Sequence, residues 1–352
     1  MGFERERAKR TEVVPALAIA LIVGAGACGG GGASPEAATK AGVKINIDNE
    51  LGNLTSSVAA LRAAAPEPDA DGWSAEADPD AVAAMRTAWR QARMAYERIE
   101  GTIALLFASY DESIDQRYDG FLAADGPDSD LFDGEGVTGV HAVERILWAD
   151  STPAQVVTFE MGLTGYVPAT FPMDAAQARE FKDGLCKRLV DDTTAVQQMF
   201  VPRSLDTTAA FRGIIDSMNE QIEKIELAAT GEEESRYSQH TLDDMRSNLE
   251  GGRNTYAPFR AWLKGKAGGA ALDADILAGF ARISALYGLF GDSLPPVPAG
   301  FDPEAPAAAD LETPYGTIFA GLKHESDPAD PASLVSKLTA AADPLGIPQL
   351  AP

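Results

Sequence analysis

Cysteine is nearly missing from this chain, with two in 352 residues, and histidine is almost as rare, at three. Positive charge is also short, since 29 Lys and Arg stand against 53 Asp and Glu, a formal net charge of -24. Each shortage excludes something. Two cysteines provide no disulfide framework, so the fold must rely on packing. His141, His240 and His324 contain no His-Glu-x-x-His pair, which removes the zinc-peptidase helix. A carboxypeptidase-like site needs a large sheet, yet almost no segment alternates at period two. No Gly-x-Ser-x-Gly turn, phosphate loop or dinucleotide fingerprint is present, so serine-hydrolase and nucleotide-enzyme readings lack support. The acidic excess repels phosphate backbones and anionic headgroups, which argues against nucleic acid or a polybasic membrane patch; cations are the natural partners. Most individual carboxylates need no explanation beyond a solubilising surface.

A long hydrophobic run is absent too. The apolar stretch from Val13 to Val23, behind Arg5, Arg7, Lys9 and Arg10, is too short to span a bilayer but suits a signal-peptide core. It leads to Ala25-Gly26-Ala27-Cys28 and a glycine tract, which resembles a bacterial lipoprotein signal, with Ala25 where a leucine is usual. Residues 1–28 are expected as the leader, Cys28 as the lipidated mature N-terminus, and 29–45 as a flexible tether. Lipidation of Cys28 would leave Cys186 as the remaining thiol. Cys186 lies in a helical pattern with no histidine nearby in sequence, as a packing residue would.

What the chain has in quantity is helical periodicity. Trp89, Tyr96, Ile99, Ile103, Leu106, Phe107 and Tyr110 recur at three- and four-residue steps after the start signals Asp78 and Pro79. Further helices are expected over 48–64, 113–122, 137–148, 175–200, 206–229, 236–264 and 272–290. Residues 150–173, with Pro153, Pro168 and Pro172, read as a long irregular connection. The tail from Leu294 reads as a Pro- and Ala-rich extension over 291–352, with short helices at 307–322 and 331–342, that wraps the bundle. The fold class is all-α.

Potential metal ligands crowd into residues 92–148. Glu97 and Glu100 lie three apart on one helical face, Glu100 within the apolar stripe and Glu97 at its flank. A carboxylate facing a core must be paired, protonated or metal-bound, and Arg93, four residues before Glu97, can serve as an ion-pair partner. Asp115 follows, with Asp111 as a weaker candidate. His141 and Glu144 repeat the three-residue spacing, which the Glu-x-x-His segments of di-iron bundles use in reverse order. One His-x-x-Glu by itself is equally a hydrogen-bonded histidine.

Taken in order, Tyr96-Glu97-Arg98-Ile99-Glu100, Asp111 to Arg117, Gly139 to Trp148 and Gly231 to Ser238 resemble the signature segments of the imelysin-like family, in the form of the metal-binding domain of EfeO/EfeM-type iron-uptake lipoproteins. Gly101 replaces the proline that usually follows the first segment, and the last segment has one extra residue. The resemblance covers about residues 45–290, leaves no room for the cupredoxin-like domain of longer members, and makes 150–173 an insertion. It implies two packed four-helix-bundle-like subdomains within 46–290. It further implies metal ligands at His141 and Glu144 as one set and at Glu97, Glu100, Asp115 and Glu233 as another, with Glu234 as the alternative to Glu233.

An oxygen-rich set with one imidazole and no thiolate favours iron, as Fe2+ or Fe3+, with zinc or copper as possible occupants. The expected function is metal capture at the periplasmic or cell-surface side of a bacterial membrane, for delivery to a membrane permease. An imelysin-type surface peptidase is the rival activity, and a metal-bridged polyanion-binding or structural surface protein the third reading.

Overall fold

The computed structural model describes residues 33–348; the leader and Cys28 lie outside them. Among the described residues all regular structure is helical. The order is α1 Pro35–Ala64, α2 Pro79–Glu97, α3 Glu100–Leu106, α4 Ala108–Asp115, α5 Tyr118–Ala124, α6 Gly139–Leu147, α7 Ala154–Glu160 and α8 Ala175–Glu180. After a π-helical turn at Phe181–Leu185 come α9 Cys186–Phe200, α10 Thr207–Ala228, α11 Thr241–Tyr256 and α12 Phe259–Lys264. The chain closes with α13 Gly269–Tyr287, α14 Ala308–Leu311, α15 Pro314–Ser326 and α16 Leu334–Leu345.

Two bundles account for most of the packing. In the first, α1 lies along α2 and α9, with α4 and α6 closing the other side. Its buried residues Val43, Ile47, Leu51, Leu54, Val58 and Leu61 step along α1 at three and four, the period that turns one face inward. In the second, α10 is central and packs on α3, α11, α15 and α16, with α13 against α11 and α16. The α2–α11 contact joins the two bundles.

Several expectations change, among them the helix expected over 113–122, which is split between α4 and α5 at Gln116–Arg117. The first helix begins at Pro35, inside the stretch read as a tether. Ser34 accepts from Ala37 N at 3.2 Å, Pro35 occupies the first turn, and the alanines that resemble a linker are equally the best helix formers. Thr39 then donates to the Pro258 carbonyl at 3.0 Å, tying this turn to the body. The single pattern from Pro79 to Tyr110 is three helices, broken at Arg98–Ile99 and at Phe107. Residues 150–173 contain about two helical turns, α7, before the irregular stretch. Pro258 likewise interrupts the helix expected over 236–264.

The break at Arg98–Ile99 is made by close backbone approach. Gly101, the second residue of α3, lies against Gly213 of α10, and a Cβ on either would overlap the other's carbonyl oxygen. That is a reason for glycine at the position where the family segment carries proline.

The tail belongs to the second bundle. Leu334, Val335, Leu338, Ala341 and Leu345 of α16 are buried, and the Tyr315 hydroxyl donates to the Ile225 carbonyl of α10. Leu338→Ala should therefore cost about 2–5 kcal/mol in chemical denaturation, as a cavity in a shared core does. A loss below about 0.5 kcal/mol, as for a surface position, would show that the tail lies loosely on the bundle.

Candidate metal centre

The centre is assembled where the end of α4 meets the start of α6. Gly139, at φ 88°, begins α6 in the left-handed region, and a Cβ there would overlap the Ile114 carbonyl. The preceding Thr138 donates to the Ser113 carbonyl at 3.0 Å, and Trp89 Nε1 of α2 donates to the Val140 carbonyl at 2.8 Å. These contacts bring His141, on the first turn of α6, to Asp115, the last residue of α4. The loop of residues 231–240, between α10 and α11, supplies the third group, Glu234.

His141 Nε2 lies 3.3 Å from Asp115 Oδ1 and 3.2 Å from Glu234 Oε1. Among the described residues, Asp115, His141 and Glu234 form the group whose donor atoms all fall within 4.8 Å of one another, the spacing a single ion requires. On its other side, His141 Nδ1 lies 3.1 Å from Glu144 Oε2, while Glu144 Oε1 accepts from the Ser238 amide and hydroxyl at 2.8 and 2.7 Å. Glu144 thus has both oxygens engaged away from the other two donors. It holds the imidazole with Nε2 turned inward, as an outer carboxylate does for a metal-ligating histidine.

Arg93, almost fully buried, ties the centre together. Its guanidinium pairs with Glu97 and Asp115, lies 3.0 Å from Glu234, and has Asp244 at 3.6 Å. Burial alone would raise both Asp115 and Glu234. For Asp115, Arg93 and the bond to His141 outweigh burial and hold the carboxyl below its usual range. For Glu234, Lys224, His141 and Arg93 do the same more strongly. Burial and Arg93 would lower His141, yet its bonds to Asp115, Glu144 and Glu234 raise it well above the ordinary imidazole value. These carboxylates favour the protonated ring of His141, whose Nε2 faces Asp115 and Glu234.

The other expected ligands are distributed differently. Glu97 ends α2 and Glu100 opens α3, and both turn to the buried Lys224 ammonium of α10, at 2.7 and 3.4 Å. The Arg93–Glu97 ion pair read from the spacing is present. Glu233 accepts from Gln239 Nε2 and is pushed up to about 7, chiefly by burial; it lies outside the donor group, where its neighbour Glu234 is found. Asp111 accepts from the Tyr96 hydroxyl, and burial, with Asp115 nearby, raises it to about 6. Cys186 is buried, and desolvation raises its thiol, consistent with a packing role. Lys224 and Asp244 carried no sequence signal, since each lies in an ordinary amphipathic helix.

A cleft of about 230 Å³ reaches this centre. Its walls carry the acids Glu100, Asp115, Glu220, Glu223 and Glu234 and the cations Arg117 and Lys224, so two of the three donors face it.

The Imelysin family model matches residues 50–310. The chain belongs to the imelysin family. Among curated relatives, the iron uptake system component EfeM of Bacillus subtilis (strain 168) is 27% identical over 179 residues, 51% of this chain. The matched region spans 36% of that relative's length. The crystal structure of an imelysin-like protein from Psychrobacter arcticum 273-4 superposes with a TM-score of 0.57 at 12% identity, covering 90% of this chain and 98% of that one. The imelysin-like fold is thereby established for this chain.

The buried carboxylates make the metal-free protein sensitive to pH. Glu220 is raised to about 8 and Asp244 to about 7, burial being the largest cause in each. Their folded values lie above the unfolded values of about 4, so the stability they contribute is fully present in acid and lost as pH rises through 7–8. His141, also raised, acts in the same direction. Asp115 and Glu234, lowered, lose their contribution only as pH falls below about 4. Tm in EDTA should accordingly be higher at pH 6 than at pH 9, and a flat or rising Tm over that interval would contradict this proton distribution. Gly139→Ala, forced into both overlap and a left-handed backbone, should lower Tm at every pH, whereas an unchanged Tm would mean that α6 does not need this entry.

Proposed function

We propose that this chain is an extracytoplasmic iron-capture protein that binds iron as cargo at Asp115, His141 and Glu234 and delivers it to a membrane permease. One observation carries the reading: a buried imidazole and two carboxylates converge, and both carboxylates line a cleft in which acidic residues outnumber basic ones. The similarity to an iron uptake system component supports iron as the cargo. Donor chemistry supports it too, because two carboxylates and one imidazole suit a hard or borderline ion, Fe2+ or Fe3+, with Zn2+ or Cu2+ as surrogates.

The residues supply the chemistry of capture and release. The acidic cleft attracts a cation toward Asp115 and Glu234. His141 gives up its Nε2 proton as it becomes a ligand, while Glu144 keeps the Nδ1 proton and with it the orientation of the ring. Return of that proton, with ligand exchange at the carboxylates, would release the ion. Membrane attachment belongs to the lipidated Cys28, the first residue of a mature chain that has lost the residues before it. None of the helices in the described residues is long and apolar enough to cross a membrane.

Iron or Zn2+ at about 100 times Kd should stabilise the fold by about 2.7 kcal/mol, visible as a rise in Tm. Glu234→Gln should weaken binding by about tenfold or more, while Glu233→Gln should stay within about threefold of wild type. The reverse ranking would place the ligand at Glu233 and sink the assignment. Calorimetry in two buffers of different ionisation enthalpy should record release of about one proton per ion near pH 7 in wild type. No release would show that His141 is not a ligand.

A further inference from the structure

Lys224 is a buried cation beside the centre, and the ion-pair contacts of its ammonium go to Glu97 and Glu100 rather than to any of the three donors. Its Nζ lies 2.7 and 2.9 Å from the two carboxylate oxygens of Glu97 and 3.4 Å from Glu100 Oε2. An ammonium has three N–H donors, and all three find carboxylate oxygens here. The break between α2 and α3 makes this possible: Glu97 is the last residue of one helix and Glu100 the first of the next, so both turn toward one point on α10.

We infer that Lys224 is a resident cation standing in for a second metal ion, so that the centre holds one ion at Asp115, His141 and Glu234 and none at Glu97 and Glu100. The inference rests on the metal-capture reading and adds which of the two carboxylate sets is open to metal. Buried carboxylates without a counter-charge are costly, and the chain meets that requirement from its own covalent structure. A tethered ammonium does not dissociate, whereas a metal ion must be supplied from solution. The oxygens are also spaced for N–H donors, at 2.7–3.4 Å from nitrogen; metal–carboxylate bonds of about 2.0–2.2 Å need them drawn closer to a shared centre. Arg93 shares Glu97, and Asn248 donates to Glu100 at 3.3 Å, so neither glutamate depends on a metal for partners.

The test is Zn2+ stoichiometry and affinity by calorimetry on the full chain, with metal content measured in parallel. Wild type should take up about one ion and Lys224→Met about two, with the second lost again in Lys224→Met/Glu97→Gln/Glu100→Gln. Two ions in wild type, or one in a folded Lys224→Met, would overturn the inference. Should Lys224→Met fail to fold, Glu100→Gln decides. One ion with Kd within about threefold of wild type upholds the lysine as the partner of Glu100, and a loss of about tenfold makes Glu100 a metal ligand and ends the inference. If wild type binds no ion while Lys224→Met binds one, the metal assignment at Asp115, His141 and Glu234 falls and the role of Lys224 stands. No ion in either protein ends both.

Discussion

The Arg93 guanidinium meets carboxylates that arrive from four parts of the chain: Glu97 from its own helix, Asp115 from the end of α4, Glu234 from the 231–240 loop and Asp244 from α11. Burying a guanidinium is costly, and the cost is offset only when its partners are held in place around it. Once they are, their positions are no longer independent. Asp115 and Glu234 are drawn to one side of Arg93, and the space between them is filled by the His141 ring. The candidate metal centre is thus a by-product of solvating one buried cation with protein oxygen, at the seam where α2 and α11 join the two bundles.

The same constraint explains the protonation pattern. Glu97, Glu100, Asp115, Glu144, Glu234 and Asp244 face Arg93, Lys224 and His141, so negative groups exceed the fixed cations. Glu234 and Asp115 are held low by the cations beside them. Asp244, although beside Arg93, Glu100, although beside Lys224, and Glu220 are raised instead, burial being the largest cause in each. A site that must balance charge with protons when empty is suited to exchange those protons for a metal ion. His141 is the clearest case, because its Nε2 faces both Asp115 and Glu234.

The helices were legible because apolar residues repeat at helical period over long windows, and the four segments around the centre stood out in the right order. The three-residue spacing of Glu97 with Glu100 and of His141 with Glu144 was also legible, but its meaning changed. An unbroken helix would set Glu97 and Glu100 side by side; instead a glycine-packed corner separates them and both turn to Lys224. Glu144, expected beside His141 as a fellow ligand, faces the opposite ring nitrogen. Glu233 and Glu234 could not be distinguished in advance, since they lie in a loop where no period says which side chain points inward.

By itself, the sequence determined that the chain is all-α and rich in unpaired acid, and which short segments carry candidate ligands, because composition and periodicity are local properties of a chain. Tertiary structure alone decided that Asp115, His141 and Glu234 share one centre, that Arg93 organises it, and that Lys224 takes the charge of Glu97 and Glu100. Those residues are up to about 140 positions apart, and their electrostatics depends on distances of a few ångströms in a medium shielded from water. Neither quantity exists until the bundles have packed.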